Sequence, residues 1–157
     1  MATTDPTQVR RIIAHNKRAR FDYFIEETIE AGLCLQGSEV KSLRKNRGSI
    51  DEAYVGEQGG ELYLLHSYIG EYTEAHQFNH PIHRPRKLLL HKKQINKWMG
   101  RVKMKGYTIV PVCLYFNHKN KAKIEIGLAK GKKEHDKRQS IKQREWDREK
   151  ERTLKEK

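Results

Sequence analysis

The sequence predicts a mainly β domain, a small antiparallel β-barrel with about three short flanking helices and a charged C-terminal tail. Short runs in which apolar and polar residues alternate recur through the body of the chain, and turn-forming residues separate them. The strand–helix–strand rhythm of a parallel sheet is absent from the sequence. At 157 residues the chain has room for one domain with one core. We therefore divide it into a body, residues 1–130, and a tail, residues 131–157.

The longest strand signal begins at Ile25. Apolar and polar residues alternate from there to Gln36, which places most apolar side chains on one face of a strand. A strand of this length is expected to bend around a barrel. Gly37 and Ser38 interrupt the alternation, and Ser38 is predicted to cap a short helix that ends at Arg44.

A hairpin is predicted next. Residues 53–55 and 62–69 form its two strand signals, and Gly59 and Gly60 form the turn between them. The following segment, residues 71–85, is polar, rich in histidine and without periodicity. It is predicted to be a loop or a weakly paired edge.

A second helix is predicted around Trp98. Ile95, Trp98, Met99 and Val102 recur at the i, i+3, i+4, i+7 spacing of an amphipathic helix, and Gly106 is placed as its C-terminal stop. An apolar stripe of this kind favours packing on a core over a binding function.

Two more strands are predicted at residues 107–116 and 122–128, joined by a turn at 117–120. In the second of them the even-numbered side chains are apolar and are expected to point inward. Pro111 inside the first predicts an edge or bulge position, because proline cannot donate a ladder hydrogen bond. At least five strands with short helices favour a closed or partly open barrel of the oligonucleotide-binding type.

Charge favours a polyanionic partner, because the net charge is +13 and 34% of the residues are charged. No apolar run approaches the roughly 20 residues that span a bilayer, and residues 1–8 lack the apolar segment of a signal sequence. We therefore expect a cytoplasmic protein. Cys34 and Cys113 lie in apolar runs and are predicted to be free, buried thiols. The histidines lack metal-ligand spacing, so neither a metal nor another cofactor is expected.

The tail is basic and carries no apolar stripe. At about 100° per residue, Lys137, Arg144, Arg148 and Lys155 project within about 40° of one another. This basic edge suits a helix that lies along phosphates. Because i,i+4 pairs such as Arg144 with Arg148 repel each other, we predict a tail that is disordered when free and helical only against a polyanion. Trp146 is predicted to stack on a surface or a base; an idle, solvated terminus is the alternative.

Cationic residues of the body fall into four groups, and each alone is compatible with ordinary solvation. We predict that they converge on one rim of the barrel. The groups are Asn16, Lys17, Arg18 and Arg20; Lys41, Arg44, Lys45 and Arg47; Arg84, Arg86 and Lys87; and Lys119, Lys121, Lys123 and Lys130.

Four segments carry a family resemblance. Residues 16–24 read NKRARFDYF, residues 37–44 GSEVKSLR, residues 86–91 RKLLLH and residues 130–138 KGKKEHDKR. In this order and spacing they resemble small protein B (SmpB), the family of SsrA RNA (tmRNA)-binding proteins of bacterial trans-translation. The resemblance covers nearly the whole chain.

The resemblance implies a fold and a function. Members of that family are non-enzymatic RNA-binding proteins whose oligonucleotide-binding-type barrel is flanked by three helices. They bind the tRNA-like domain of tmRNA, act with alanyl-tmRNA and elongation factor Tu, and bring the RNA to stalled ribosomes. There the tail contacts the small-subunit decoding centre and enters the empty mRNA channel as a helix. By this resemblance, residues 1–130 form an RNA-binding body and residues 131–157 a tail that becomes helical on the ribosome.

The resemblance also implies site residues. Asn16, Glu30, Leu89 and Lys123 match family positions that contact tmRNA. With the cationic groups, the predicted tmRNA-binding set is Asn16, Lys17, Arg18, Arg20, Glu30, Lys41, Arg44, Arg86, Lys87, Leu89, Lys121, Lys123 and Lys130. The predicted ribosome-contacting set is Gly131, Lys132, Lys133, His135, Asp136, Lys137, Arg138, Arg144, Trp146, Arg148, Leu154 and Lys155. Thr153 and Leu154 stand where the family often has an apolar pair.

Two other functions stay open from the residues alone. A general single-strand or ribosomal RNA-binding barrel would share the charge and the fold, but it would not need a tail with its own basic edge. A small metal-dependent nuclease would use the carboxylates Asp51, Glu52 and Glu57 near His66, although their spacing matches no known motif.

Overall fold

A computed structural model describes residues 10–104 and 106–155, and within them the fold is mainly β, as predicted. The strands are β1 (Arg11–His15), β2 (Tyr23–Leu33), β3 (Gly48–Ser49), β4 (Tyr54–Gln58), β5 (Glu61–Leu65), β6 (Tyr68–Ile69), β7 (Arg86–Leu89), β8 (Tyr107–Phe116) and β9 (Ala122–Gly131). The helices are α1 (Ala19–Asp22), α2 (Gly37–Arg44), α3 (Lys92–Val102) and α4 (Glu134–Lys155). A 3₁₀ helix, Thr73–Phe78, lies in the segment predicted to be a loop.

The main sheet is antiparallel and has seven strands in the order β1-β8-β9-β2-β7-β5-β4, while β3 and β6 form a separate two-stranded sheet. The main sheet curls far enough to bring Cα atoms of β4 within 8 Å of Cα atoms of β8. In the described part of the chain no hydrogen-bonded ladder joins its two edge strands, β1 and β4. The barrel is therefore partly open.

The core fills the inner face of this sheet. Trp98 and Ile95 of α3 are 1% and 3% exposed and pack with Leu88, Ile124 and Ile126, which are fully buried. Met99 and Val102 cover the edge of the same cluster. The predicted apolar stripe of α3 is thus a core element. Each fully buried aliphatic side chain stabilises the fold by about 1.5–3 kcal/mol relative to exposure.

The predicted cap of α2 is wrong by two residues. Gln36 precedes the helix in extended conformation, and its N–H donates to Glu39 Oε1 at 2.9 Å. Ser38 lies inside the helix instead, with its Oγ 2.9 Å from His80 Nδ1. The hydrogen bonds between Gln36 and Glu39 form a capping box, so the helix begins at Gly37, before the position that a Ser38 cap would give.

The predicted hairpin is confirmed. Gly59 and Gly60 have φ values of +59° and +80°, the left-handed conformations that a two-residue turn requires. Its second strand ends at Leu65 and not at Ile69 as predicted. His66 follows with φ +57°, and this turn directs the chain away from the main sheet so that β6 pairs with β3.

The remaining predictions concern β8 and the cysteines. The register shifts between Pro111 and Cys113, so the predicted bulge is confirmed in a strand that pairs on both sides.

Both cysteines are free, but only Cys113 is buried; Cys34 is exposed after the end of β2, contrary to the prediction. Burial, with a smaller contribution from Glu125, raises the pKa of the Cys113 thiol.

Candidate nucleic-acid interface

A row of side chains crosses the outer face of the main sheet, the face opposite the core. Tyr115 pairs with Lys123, Lys123 with Gly32, and Gly32 with Leu89 in the ladders of β8, β9, β2 and β7. A Cβ atom on Gly32 would lie 3.1 Å from Leu89 Cβ and 3.5 Å from Lys123 Nζ. The glycine therefore lets an apolar side chain, 53% exposed, and an ammonium group lie next to each other.

This outer row borders a groove of about 1060 Å³ between the sheet and α3. The groove brings together four predicted tmRNA-binding residues, which are Glu30, Lys87, Leu89 and Lys123. Gln94 and Lys97 line it from α3. Lys97 lies 3.4 Å from Glu27 and Lys87 lies 3.9 Å from Glu61, whereas none of the ion pairs between described residues involves Lys123.

Glu30 is held by a polar network on the same face. It accepts a hydrogen bond from the hydroxyl of Tyr115, a fully buried side chain. Burial, and then this bond to Glu30, raises the pKa of Tyr115, so the phenol stays a donor. Arg10 stacks 4.5 Å from the Tyr115 ring centroid and donates to Glu125 at 3.2 Å. The exposed carboxylate of Glu30 is therefore fixed in position and keeps acceptor capacity for base edges or 2′-hydroxyls.

Asn16 carries an unused acceptor. Its Nδ2 donates to the carbonyl of Pro111 at 2.9 Å, which fixes the amide against β8. Its Oδ1 is buried and has no hydrogen-bond partner among the described residues. A buried unpaired acceptor costs about 1–3 kcal/mol, and a donor from a bound molecule would restore this energy once a shift of the surrounding side chains exposes Oδ1.

Other predicted cations surround the outer face at its ends. Lys17, Arg18 and Arg20 are exposed on and before α1, next to Asn16. Lys130 at the end of β9 lies 5.5 Å from the Tyr107 ring centroid, and Lys121 is exposed at the opposite end of the same strand.

The α2 cations form a separate group. Lys41 and Lys45 lie 5.6 Å and 5.2 Å from the ring centroid of Tyr72, and Arg44 is exposed on the same helix. None of the three lines the groove. The cations of α2 thus lie outside the groove, as those of α1 do, and the convergence of all four groups on one rim stays a prediction.

Arg86 requires a correction. It was predicted to bind RNA, but its side chain is fully buried. Its Nε donates to Glu39 Oε2 at 2.5 Å, and Nη1 and Nη2 donate to the carbonyls of Ser67 and Ile82. Burial lowers the pKa of Arg86, although the bond to Glu39 opposes this shift. Because its donors are occupied inside the protein, Arg86 supports the core and is not available to RNA.

The tail begins at a network around Lys132. The Lys132 backbone N–H donates to the carbonyl of Asp22 at 2.8 Å, and Nζ donates to the carbonyl of Arg20 and to Ser140 Oγ, each at 2.9 Å. The Lys133 N–H donates to Asp136 Oδ2 at 3.2 Å and so caps the start of α4. Gly131 precedes this network with open space around its Cα.

The base of the tail also packs on α1, which the sequence did not predict. Lys137 Nζ lies 3.3 Å from Asp22 Oδ1, and the Arg144 guanidinium lies 5.3 Å from the Phe21 ring centroid. Although the tail carries no apolar stripe, an ion pair and a cation–π contact hold its first turns on the protein. No local pattern could have revealed Phe21 and Asp22, because their partners are distant in sequence.

Beyond this base α4 is exposed. Residues 141–155 all lie on the surface, and Trp146 is 56% and Leu154 74% exposed. The other predicted tail residues on the surface are His135, Arg138, Arg148 and Lys155. The Lys150 ammonium lies 5.3 Å from the Trp146 ring. The tail thus presents its distal part to solvent as a helix, the conformation predicted for its bound state, while its disorder in the free protein stays a prediction.

The carboxylates considered for a nuclease do not converge. Asp51, just after β3, accepts a hydrogen bond from the Ser49 hydroxyl at 3.4 Å, and Glu57 lies on β4. His66 stacks on Tyr54 with ring centroids 5.2 Å apart. Within residues 10–104 and 106–155, no three His, Cys, Asp or Glu side chains are grouped so that they could hold a metal ion. Among the same residues, no helix is long and apolar enough to cross a membrane.

The chain is similar to a family model, to relatives from Rickettsia and to a chain in a solved structure. A family model described as SmpB protein matches residues 13–156. The chain is 55% identical over 150 residues to an SsrA-binding protein of Rickettsia bellii, with 96% of this chain and 99% of the relative covered. It is 54% identical over 151 residues to the SsrA-binding protein of Rickettsia canadensis, with the same coverage. A solved structure described as "tmRNA-SmpB: a journey to the center of the bacterial ribosome" contains a similar chain, with TM-score 0.63, 40% identity, 85% of this chain and 94% of that chain covered.

Proposed function

The chain belongs to the SmpB protein family, and on this premise we propose that it binds the tRNA-like domain of tmRNA (SsrA RNA). It delivers that RNA to stalled ribosomes in trans-translation, as a binding protein without catalysis. The observation that carries the proposal is the outer row of Leu89, Gly32 and Lys123 beside the fixed carboxylate of Glu30. An apolar platform, a free ammonium group and an oriented acceptor can contact an unstacked base, a phosphate and a base edge or 2′-hydroxyl of a folded RNA.

Each part of the row has a separate role in RNA binding. Lys123 supplies charge to a phosphate, and such a contact carries no sequence information. Leu89 offers an exposed apolar surface on which a base can lie. Glu30 and Asn16 Oδ1 accept hydrogen bonds from amino groups or 2′-hydroxyls, and they select the shape of the RNA. The cations of α1 extend the positive field beyond the groove.

The tail supplies the second half of the proposed function. Its exposed distal helix, with Arg148 and Lys155 on the basic edge, enters the mRNA channel when that channel is empty. Phosphates lining the channel provide the counter-charge that the isolated helix lacks. His135 and Trp146 supply rings that can stack on bases at the decoding centre and along the channel. Elongation factor Tu acts with the alanylated RNA during this delivery.

Replacing Lys123 by alanine should weaken binding to a tRNA-like tmRNA fragment and lower the slope of log affinity against log salt by about one, because one phosphate contact is lost. Asn16→Ala should weaken binding without this change in slope, because it removes an uncharged acceptor. Fluorescence anisotropy at several salt concentrations measures both. Lys93→Ala, which removes an exposed cation of α3 outside the groove, is the matched control.

Competition with unrelated RNA distinguishes this proposal from a general RNA-binding barrel. An excess of an unrelated stem-loop RNA should leave the complex with the tRNA-like fragment largely intact. Equal competition by both RNAs, with the same response to Lys123→Ala, would contradict recognition of tmRNA.

A synthetic peptide of residues 131–157 should show little helix by circular dichroism in dilute buffer and gain helix when a polyphosphate is added. Among the described residues no ion pair within α4 offsets the like-charge pairs, and the isolated peptide lacks the packing surface from which most helices in proteins draw their stability. Raising the salt concentration without a polyanion is the control for simple screening. A stable helix in buffer alone would show that the free tail is ordered.

A further inference from the structure

We infer that α1 is the seat that sets the direction in which the tail helix leaves the body, with Phe21 and Asp22 as positioning residues. The inference rests on the proposed function of the tail, but the contacts that carry it belong to the free chain. They join residues 132–144, which are the link before α4 and its first turns, to a helix of one turn on the outer face.

The seat is anchored to the sheet although α1 is short. Ala19 of α1 is 1% exposed and packs with Val110 of β8 and Ala129 of β9. The carbonyls of Arg20 and Asp22 both accept hydrogen bonds from Lys132. Helix α1 is therefore packed against the sheet through Ala19 and hydrogen-bonded to the start of the tail through Lys132.

Three kinds of contact connect the tail to this seat. Lys132 Nζ bridges the carbonyl of Arg20 and Ser140 Oγ, and so joins α1 to the second turn of α4. Lys137 forms an ion pair with Asp22, and both side chains are about one-third exposed, at 33% and 28%. Arg144 lies over the Phe21 ring two turns further along. Each contact alone shifts an equilibrium by no more than about fivefold, but together they fix both the position and the rotation of the helix.

The length of α4 makes its direction consequential. A helix of 22 residues is about 33 Å long, so turning its base by 20° moves its far end by about 11 Å. Gly131 is the last paired residue of β9, opposite Tyr23, and residues 132–133 between it and α4 belong to no helix or strand. Without the seat, the short link of residues 132–133 between β9 and α4 would let the basic edge point in many directions. With it, Lys137 and Arg144 face α1, and Arg148 and Lys155 continue the same edge beyond the body.

Double electron–electron resonance tests the seat in the free, full-length protein. One label is attached to the exposed Cys34, and the other to Gln143→Cys at the end of the docked turns; the buried Cys113 stays unlabelled. We expect a narrow distance distribution that broadens in Asp22→Lys and in Lys137→Asp and narrows again when the two are combined. Phe21→Ala should broaden it and Phe21→Tyr should not, while Glu149→Lys reverses a charge outside the seat as the control.

A distribution of the same width in the unmodified protein and in Asp22→Lys, or a charge swap that fails to narrow it, would overturn the seat. The functional companion measures tmRNA affinity and tagging of stalled chains in Asp22→Lys. We expect lower tagging with affinity within about twofold. A parallel loss of affinity would overturn the positioning role, because Asp22 itself would then be part of the RNA contact. Failure of the unmodified protein to bind tmRNA would refute the proposed function and leave the distance result standing.

Discussion

Truncation of the chain before His135 is expected to abolish tagging of stalled nascent chains while leaving tmRNA affinity within about twofold of the full-length value. The outer row and the groove are built by β2, β7, β9 and α3, and α4 does not line the groove. The shortened protein keeps these contacts and loses the helix proposed to occupy the mRNA channel. Affinity is measured with the tRNA-like fragment, and tagging in a translation reaction on an mRNA without a stop codon.

A substitution series tests whether the basic edge, and not tail charge in general, carries this effect. Arg148→Ala with Lys155→Ala removes two cations of the basic edge, which project within about 20° of each other. Lys142→Ala with Lys150→Ala removes the same charge from other sides of the helix. We expect a larger loss of tagging from the first pair. Equal losses would mean that α4 acts through net charge, and a loss of tmRNA affinity on truncation would mean that the tail is part of the RNA clamp.

Replacing Glu39 by glutamine is expected to destabilise the fold by about 3–5 kcal/mol, the usual cost of removing one partner of a buried ion pair. Glu39 and Arg86 are both fully buried and lie 2.5 Å apart, and Arg84 donates to the other carboxylate oxygen. The substitution leaves the Arg86 charge in the core without its counter-charge. For a chain of this size the melting temperature should fall by about 6–20 °C, measured by thermal unfolding followed by circular dichroism.

Two variants separate this cost from a general effect of charge removal. Glu74→Gln removes an exposed carboxylate that pairs with Lys45 at 3.3 Å, and it should leave the melting temperature nearly unchanged. Combining Glu39→Met with Arg86→Met removes both buried charges and should recover part of the stability lost in Glu39→Gln. A double variant less stable than the single one would contradict the explanation by an unpaired buried charge.

The same ion pair predicts a dependence of stability on pH. Burial by itself would raise the pKa of Glu39, but bonds from Arg84, the Gln36 N–H and Arg86 together lower it below its ordinary value of 4.5. A pKa that is lowered in the folded state stabilises the fold at pH values above the ordinary pKa. This stabilisation is lost as the pH falls through the pKa of the folded state. The difference in urea midpoint between the unmodified protein and Glu39→Gln should therefore shrink as the pH is lowered below about 4.5.

Local patterns were sufficient for most of the fold. The alternation in β2 and β9, the glycine pair of the hairpin and the apolar stripe of α3 are written in neighbouring residues, and the structure confirms them. Boundaries were less predictable. The end of β5 before His66 and the early start of α2 depend on which of several competing local hydrogen bonds or backbone conformations is adopted.

The candidate site was predictable in part. Lys123 and Leu89 were predicted with a family resemblance and lie next to each other, but their common neighbour Gly32 was not. Arg86 carried the same signal as a surface cation and is buried. Whether an arginine in a basic segment faces water or a carboxylate such as Glu39, from another part of the chain, is not encoded in its immediate neighbours.

The sequence by itself determined the class of fold, the polyanionic character of the partner and the basic edge of the tail, because periodicity and charge are properties of contiguous residues. The tertiary structure alone decided which cations remain available, how Gly32 brings Leu89 and Lys123 together, and where α4 is held on Phe21 and Asp22. Each of these depends on contacts between segments far apart in the chain. Such contacts form only when the sheet has curled around its core.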